Sequence, residues 1–463
     1  MKQEVFDVIV IGSGFAGLKA AIIAKEQGAS VVLLEKMKTL GGNSVISDGG
    51  IAAAGTSFQR KLGIDDDAKL MKADILKSGG PLSDEALVDV LCDQALDVFN
   101  WTKEVLKVPY RKDVELFGGH TKPRSHSPEG PPSGRPFIKR LEALAKKLGV
   151  EIRTQHYVKA FLKKENTLEG VLCDSHYRFK QPFSDQESII MAQKGVVLAT
   201  GGFSADVDFR KQFDQRLDQS IDSTNKPSAS AEVMRLAIEM EAQLVGMHHI
   251  QLAPWTSPEE KGFGDGPLFA DYIALPKGVL INAKTGLRFV NELSDRGILA
   301  DAILKEADPI VILTDQKALD ESPRDIKRAL QKQVVRKYET LEALAKGENI
   351  KEKPFLDTIN RFNTFVKNQK DDDFNKPLEA HKPIESAPFY AMRIQVKTHH
   401  TMGGLKIDSL ARVLNKENQV IDKLYAAGEI TGGIHGKSRL GSMAITDCFV
   451  FGAVAGKSAA LGR

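Results

Sequence analysis

The chain has 463 residues, of which 27% are charged, and a formal net charge of +3 at pH 7. This length exceeds what one hydrophobic core usually organises, so two or three domains are expected. Lys and Arg are spread along the chain, which argues against a nucleic acid partner because such proteins concentrate their basic residues. The three cysteines, Cys92, Cys173 and Cys448, lack metal-binding spacing, so we expect buried thiols in a reducing compartment and no metal site.

The N-terminal residues predict a dinucleotide-binding turn. Residues 8–11 are a short apolar, β-branched run, typical of a strand buried on both faces. Gly12, Gly14 and Gly17 follow with the spacing Gly-x-Gly-x-x-Gly. This spacing permits a tight turn, a close approach of backbone to a pyrophosphate, and close packing of the helix predicted over 18–26. The N-terminus of that helix would present N–H groups to the phosphates.

The next strand predicts which dinucleotide binds. Residues 31–34 end at Glu35, whose carboxylate suits two ribose hydroxyls and would repel a 2′-phosphate. Small residues follow at 41–50, and another predicted strand, 195–198, ends in a glycine turn. Three glycine-rich turns suit an extended ligand such as FAD, whereas NAD usually needs only the first turn.

The remaining elements alternate between helical and irregular patterns. Residues 65–115 and 138–148 are predicted to be helical, 123–136 to be a loop, and a strand to start at 150. A more polar segment, about 248–398, carries strands at 278–282 and 288–292. It also contains helical stretches near 324–347 and 354–369 and a short solvated charged run at 370–373. We expect no span of about twenty apolar residues, and therefore no helix that crosses a membrane. The first strand leaves no room for a secretion signal, so a cytoplasmic location is expected.

Eleven short motifs carry a resemblance to a known family. They are GSGFAG at 12–17, LLEK at 33–36, GGNS at 41–44, SDGG at 47–50, RSH at 124–126, VVLATGG at 196–202, RFVNE at 288–292, DR at 295–296, HHTMGG at 399–404, AAGEITGGIHG at 426–436 and SRLG at 438–441. With these motifs the chain resembles, over nearly its whole length, the FAD-dependent fumarate reductase and succinate dehydrogenase flavoprotein superfamily. The likeness is greatest to the flavin part of the flavocytochrome c fumarate reductases and to related urocanate- and acrylate-type reductases.

The resemblance implies an α/β fold: a Rossmann-like FAD-binding domain with an inserted α+β capping domain. The FAD-binding domain would comprise residues 1–247 and 399–463, and the capping domain residues 248–398. The cofactor-binding residues it implies are Gly12, Gly14, Phe15, Ala16, Gly17, Glu35, Lys36, Gly42, Asn43, Ser44, Gly49, Gly50, Ala199, Thr200, Gly201, His400, Glu429, Leu440 and Gly441. His400 would approach the isoalloxazine, Glu429 would face the ribityl chain, and Leu440 and Gly441 would open a helix pointing at the pyrimidine end.

The resemblance also implies the chemistry, which is reduction of an activated C=C bond by hydride from flavin N5. Arg296 would protonate the adjacent carbon, Arg439 would clamp the substrate carboxylate, and His399 would donate a second hydrogen bond to it. Asp271 matches a family acid next to the substrate. The alternatives are a structural Arg296 paired to Glu292 or Asp295, and histidines that only cap or hydrogen-bond in the core.

Four departures from the family pattern bear on the substrate. Ala253 stands where fumarate reducers carry a carboxylate-binding His, and Ala274 stands near the second arginine of the proton relay. Ala270-Asp271 replaces Thr-Glu, and Gly441-Ser442-Met443 replaces Gly-Gly-Asn. We therefore expect a substrate with one carboxylate, or with a different group at its far end. The aromatic side chains that would line a larger pocket, or else pack in the core, are those of Trp255, Phe269 and Tyr272.

Cofactor attachment and electron supply complete the expectations. Residues 42–44 contain no His, and the first His in the chain is His120, so FAD should bind non-covalently. No Cys-x-x-Cys-His motif is present, so a separate electron donor is expected rather than an attached haem. Two alternatives stay open: a dehydrogenase or oxidase of the succinate or aspartate type, and a catalytically impaired flavin-binding electron-transfer subunit.

Overall fold

The computed structural model describes residues 2–463 except 118, 185, 307, 323 and 380. The chain divides into two compact units. The first unit comprises Met1–Arg216, Lys226–Ile250 and His400–Arg463, and the second comprises Leu217–Asn225 and Gln251–His399. The sequence did not predict that residues 217–225 belong with the second unit.

The first unit is built on a mostly parallel sheet. Strand Lys2–Ile11 lies between Val31–Glu35 and Glu187–Leu198 and pairs in parallel with both, with Val10 opposite Leu33 and Val197. Its residues 8–11 are at most 4% exposed, as the unbroken apolar run predicted. The predicted α/β fold class is confirmed.

The bounds of the elements in the first unit are as follows. The strands are Lys2–Ile11, Val31–Glu35, Ile51–Ala52, Ser125–His126, Glu151–Thr154, Tyr157–Lys164, Thr167–Asp174, Glu187–Leu198, Leu244–Val245, Gly404–Leu405, Arg412–Leu414 and Val420–Ala426. The helices are Phe15–Glu26, Ser57–Lys61, Ala68–Gly79, Glu85–Glu104, Arg135–Leu148, Val207–Arg210, Glu232–Ile238 and Met443–Leu461. The stretch predicted to be one helical region at 65–115 is thus two helices. The predicted loop at 123–136 contains strand Ser125–His126, which pairs with Ile51–Ala52.

One helix contradicts an expectation. Met443–Leu461 has 19 residues and, by length and composition only, is long and apolar enough to cross a membrane, although no such stretch was expected. Within its most apolar window, 67% of the residues are buried inside the protein, as in the core helix of a globular unit. Its small residues Gly452 and Gly456 lie against Ala16 and Ala20 of helix Phe15–Glu26, which explains why the run is apolar on nearly all sides.

The second unit contains a four-stranded antiparallel sheet. Its strands follow the order Val279–Asn282, Ile310–Asp315, Phe389–Ile394 and Arg336–Tyr338. Ile250–Ala253 and Lys397–Thr401 are strands at two of the four points where the chain passes between units. The helices are Pro267–Phe269, Leu275–Lys277, Arg296–Glu306, Gln316–Asp320, Lys327–Gln331, Leu341–Glu348 and Glu352–Asn368, with a π-helical turn at Ala270–Ala274. The helix predicted over 324–347 is therefore wrong in its middle, where Arg336–Tyr338 pairs with the sheet.

A buried charge cluster replaces the strand predicted over 288–292. The Glu292 carboxylate, fully buried, accepts a hydrogen bond from Arg288 Nη2 at 2.9 Å and forms an ion pair with Lys376 Nζ at 3.2 Å. Asp371, predicted to lie in a solvated loop, is also buried and binds the same Arg288 at 3.0 Å. The segment turns because its charges must meet one another inside the unit, where an unpaired charge is costly.

Candidate functional site

A cleft in the first unit collects most of the predicted cofactor residues. Its empty volume, including the open mouth, is ≈ 940 Å³. The predicted residues that line it are Gly12, Gly14, Phe15, Ala16, Glu35, Lys36, Gly42, Asn43, Ser44, Ala199, Thr200, Gly201 and Glu429. The predicted residues outside this lining are Gly17, Gly49, Gly50, His400, Leu440 and Gly441. Sequence positions more than 200 residues apart therefore meet at one cleft.

The first glycine turn has a packing role that explains its spacing. A Cβ at Gly17 would overlap the carbonyl oxygen of Gly12, and a Cβ at Gly12 would overlap that of Ala199. Helix Phe15–Glu26 can therefore begin directly over the ends of two parallel strands. Its positive end is directed at the cleft, which suits a phosphate.

The Glu35 carboxylate is held at the edge of the cleft by neighbouring donors. Oε2 accepts from the Ser13 N–H at 3.2 Å and the Ser13 hydroxyl at 2.5 Å, and Oε1 accepts from the Met37 N–H at 2.8 Å. A carboxylate has about four lone-pair positions, so acceptor capacity remains for a ribose. The residue is 7% exposed, and its orientation is fixed before any ligand arrives.

Several cleft residues were missed by the sequence reasoning. They include Ser13, His156, Tyr157, Ser228, Ala229, Glu232 and Cys448. His156 follows strand Glu151–Thr154, which pairs in parallel with Val31–Glu35. Because parallel strands end at the same sheet edge, that pairing was the signal that would have found His156. Glu232 binds the predicted residue Lys36, whose Nζ lies 3.1 Å from it.

The cleft fits FAD on structural grounds. Gly42 and Gly201 line it with positive φ values of 46° and 78°, and a Cβ at either would meet nothing within 4 Å. The space beside them is thus free for a ligand that approaches the backbone. Ser44 Oγ accepts the Phe15 N–H at 3.0 Å, which joins the second glycine cluster to the first. Ribose, pyrophosphate and an extended chain all find suitable groups here.

Half-buried Glu429 and buried His400 lie side by side in the first unit. Glu429 Oε1 accepts from the Thr401 N–H at 3.0 Å, and His400 Nδ1 lies 3.5 Å from the same oxygen. Burial raises the pKa of Glu429 to about 7, although the Thr401 N–H opposes the shift. The His400 ring stands edge-on to that of His435, at 5.8 Å between centroids, and His435 Nε2 lies 3.2 Å from Asp447 Oδ2.

The predicted clamp residue Arg439 lies in the loop before the last helix. It is 9% exposed, and its Nη1 donates to the Leu440 carbonyl at 3.0 Å. The helix begins at Met443. The residue directly before it, Ser442, has a positive φ of 59°. The Ser442 and Ser125 hydroxyls hydrogen-bond at 2.6 Å, which fixes the loop to strand Ser125–His126.

Two other predicted residues meet in the second unit, on the ring of Trp255. Arg296 is the first residue of helix Arg296–Glu306, and its guanidinium carbon lies 4.9 Å from the Trp255 ring centroid. The His399 ring stands edge-on to the same ring at 6.0 Å, and His399 Nδ1 is 2.8 Å from Thr224 Oγ1. The alternative that pairs Arg296 with Glu292 does not hold, since Glu292 binds Arg288 and Lys376.

Three of the four departures from the family pattern also lie in the second unit. Ala253 and Ala274 are fully buried. Asp271 lies on the π-helical turn Ala270–Ala274, half-buried. Of the three aromatic residues considered for a pocket, Phe269 is a fully buried core residue, Trp255 contacts Arg296, and Tyr272 has the Arg324 guanidinium 4.2 Å above its ring.

Comparison with known proteins identifies the family. The family described as FAD binding domain matches residues 7–445. The acrylate reductase flavoprotein subunit of Shewanella woodyi is 35% identical, over 97% of this chain and 90% of its own length. The chain belongs to the FAD-binding fumarate reductase and succinate dehydrogenase flavoprotein family. The urocanate reductase of Eggerthella lenta is 33% identical, over 98% of this chain and 74% of its own length.

A solved structure agrees with the family assignment. The open conformation of a flavocytochrome c3 fumarate reductase matches with a TM-score of 0.85 and 31% identity, over 99% of this chain and 78% of that chain. The predicted family and enzyme class are confirmed: the protein is an FAD-dependent oxidoreductase of the fumarate reductase type, acting on CH–CH bonds. The roles of single site residues stay predictions.

Proposed function

We propose that the protein reduces the C=C bond of an α,β-unsaturated acid with one carboxylate, using electrons from a separate donor. The observation that carries this proposal is the grouping of Arg296 and His399 on Trp255, together with a buried alanine at position 253. The proton donor and one carboxylate ligand are retained, whereas the group that would bind a second carboxylate is absent. Relatives named acrylate reductase and urocanate reductase support this reading.

FAD is proposed to bind non-covalently in the cleft of the first unit. When bound, it supplies the hydride. Glu35 would take the ribose hydroxyls, the N-terminus of helix Phe15–Glu26 the pyrophosphate, and Glu429 the ribityl chain. In this arrangement the protein orients the cofactor chiefly through backbone groups and two carboxylates.

Arg439 and His399 are proposed to hold the substrate carboxylate. The planar guanidinium of Arg439 offers two parallel donors that match a carboxylate. The Thr224 hydroxyl holds the His399 ring through Nδ1, and a proton at Nε2 would then be donated to the substrate. Both residues would stabilise the charge that develops toward the carboxylate during reduction.

Arg296 is proposed to protonate the carbon next to the one that accepts hydride. Guanidinium is a very poor acid in water, so the step requires a site from which water is excluded and rapid reprotonation. The Trp255 ring covers one face of the guanidinium and fixes its orientation. Asp271 is the acidic residue proposed to return the proton.

The test is reoxidation of reduced protein without oxygen. Photoreduced enzyme is mixed with acrylate, urocanate or fumarate, and the return of the oxidised flavin spectrum is followed. We expect acrylate or urocanate to reoxidise the flavin faster than fumarate. Fumarate giving the highest kcat/KM of a broad panel would contradict the mono-acid proposal, and no reoxidation by any enoate would contradict the reductase proposal.

A matched pair of variants tests the proton donor. Arg296→Lys should slow reoxidation by roughly a hundredfold or more at unchanged flavin content, because the compact ammonium of Lys does not reproduce the position of the guanidinium N–H groups. The control is Arg328→Lys, the same change at a position whose side chain is 76% exposed. Arg296→Lys that turns over as fast as the control would show that another group supplies the proton.

A further inference from the structure

His120 joins a buried ion pair to the loop that contains Arg439. The residue is 8% exposed. Its Nδ1 lies 3.2 Å from Arg124 Nη1, and its Nε2 lies 2.9 Å from the carbonyl oxygen of Gly441. Neither the family motifs nor the proposed chemistry gives this side chain a role.

The partners of His120 determine where its proton lies. Arg124 is fully buried and is held by Asp66, with two hydrogen bonds of 2.7 Å, and by Asp74. A guanidinium can only donate, so Nδ1 must accept. The proton is therefore on Nε2, which donates to Gly441. Burial lowers the pKa of His120, which favours this neutral form.

Packing around His120 leaves the loop little freedom. A Cβ at Gly119 would overlap Leu440 Cδ2, and a Cβ at Gly441 would lie 2.5 Å from Phe117 Cβ. The two segments thus lie in close contact beside the hydrogen bond. The Gly441 carbonyl would lose its buried donor if His120 were removed, and an unsatisfied buried carbonyl favours rearrangement.

We propose that His120 is a positioning residue, whose Nε2–H holds loop 439–441 through the Gly441 carbonyl while Arg124 fixes the tautomer. This inference rests on the proposed function only for the consequence that substrate binding by Arg439 depends on His120. The positioning itself is a property of the first unit.

The experiment compares three variants of the FAD-loaded protein. His120→Leu removes both ring nitrogens, His120→Gln restores an amide donor, and His248→Leu is the control at an exposed histidine. Amide hydrogen exchange is measured over 437–446, and KM and kcat are measured with acrylate. We expect His120→Leu to raise exchange of the loop roughly 5- to 100-fold and to raise KM more than it lowers kcat, because a buried hydrogen bond is lost.

The outcomes separate the positioning role of His120 from the carboxylate-binding role of Arg439. In His120→Gln, the exchange rate of the loop and the KM should return toward the values of the control. This variant also keeps the test valid if His120→Leu does not fold. Loop exchange that stays at the control rate in His120→Leu, or a Gln variant that behaves like the Leu variant, overturns the positioning role. Raised exchange with an unchanged KM supports the positioning role and instead contradicts Arg439 as the carboxylate clamp.

Discussion

At the scale of single residues, Glu429 couples the cleft to pH. Its folded pKa of about 7 lies above the ordinary value of 4.5, because burial disfavours the carboxylate. The folded protein therefore binds the proton more tightly than the unfolded chain. Stability from this group is fully present below about pH 4.5 and is lost as the pH rises through about 7.

Glu429→Gln should therefore stabilise the protein at pH 8 but not at pH 5. The full shift corresponds to about 3 kcal/mol, at about 1.4 kcal/mol per pKa unit. The measurement is the thermal midpoint of FAD-loaded protein at both pH values, with the exposed residue Glu417→Gln as the control. A stabilisation that is equal at the two pH values would show that the carboxyl is already ionised at pH 5.

Trp255 offers a second test at this scale. Trp255→Leu removes the ring face from Arg296, and cation–π contacts of about 0.5–2 kcal/mol predict a loss of about 2- to 30-fold in kcat. Trp255→Phe should retain most of the activity because it keeps an aromatic face. Steady-state kinetics with acrylate over a range of pH measures both. A Leu variant with unchanged kcat would reduce Trp255 to a packing role.

At the scale of elements, helices Phe15–Glu26 and Met443–Leu461 depend on glycine at their contact. A Cβ at Gly456 would overlap the backbone oxygen of Ala20. Both helices also contribute to the lining of the cleft, the first through Phe15 and Ala16 and the second through Cys448. Their close approach therefore links the stability of the core to the geometry of the cofactor site.

Gly456→Ala should lower stability by about 1–3 kcal/mol, the usual cost of overpacking a core. Thermal unfolding followed by flavin fluorescence measures the loss, and FAD should dissociate at a lower temperature. Lys457→Ala, the exposed neighbour, is the control. Because alanine favours helices more than glycine does, an increase in stability would mean that the two helices separate without cost.

Elements differ in how well the sequence predicted them, for physical reasons. Strand 31–34 was predictable because every one of its residues is buried, so the apolar run is unbroken. The strand predicted over 288–292 was wrong because the charges of this segment are paired with Asp371 and Lys376, some eighty residues away in sequence. The strand Arg336–Tyr338 was missed because its pairing with Phe389–Ile394, not its own pattern, defines it.

At the scale of the whole molecule, the same contrast holds for the candidate site. The spacing of the first glycine turn could be predicted because Gly17 packs against Gly12, which lies only a few positions before it. His156 and Glu232 could not, because parallel strand pairing and a contact with Lys36 bring them to the cleft. His120 lies in none of the family motifs. Its proposed role could not be predicted, because it depends on a hydrogen bond to Gly441, which is 321 positions away in sequence.

The manner of FAD binding is the last prediction, and it concerns the whole protein. Residues 42–44 offer no imidazole, and the histidine in the described lining of the cleft is His156, whose Nδ1 lies 2.9 Å from the Thr154 carbonyl oxygen. That contact commits the Nδ1 proton to the backbone and orients the ring along the sheet edge.

We expect acid precipitation to release all flavin into the supernatant as FAD, quantified by absorbance and chromatography. A flavoprotein with histidyl-bound FAD, carried through the same precipitation, is the control for retention. Flavin that stays in the pellet would contradict non-covalent binding. In that case, retention that disappears in His156→Ala would identify the attachment residue.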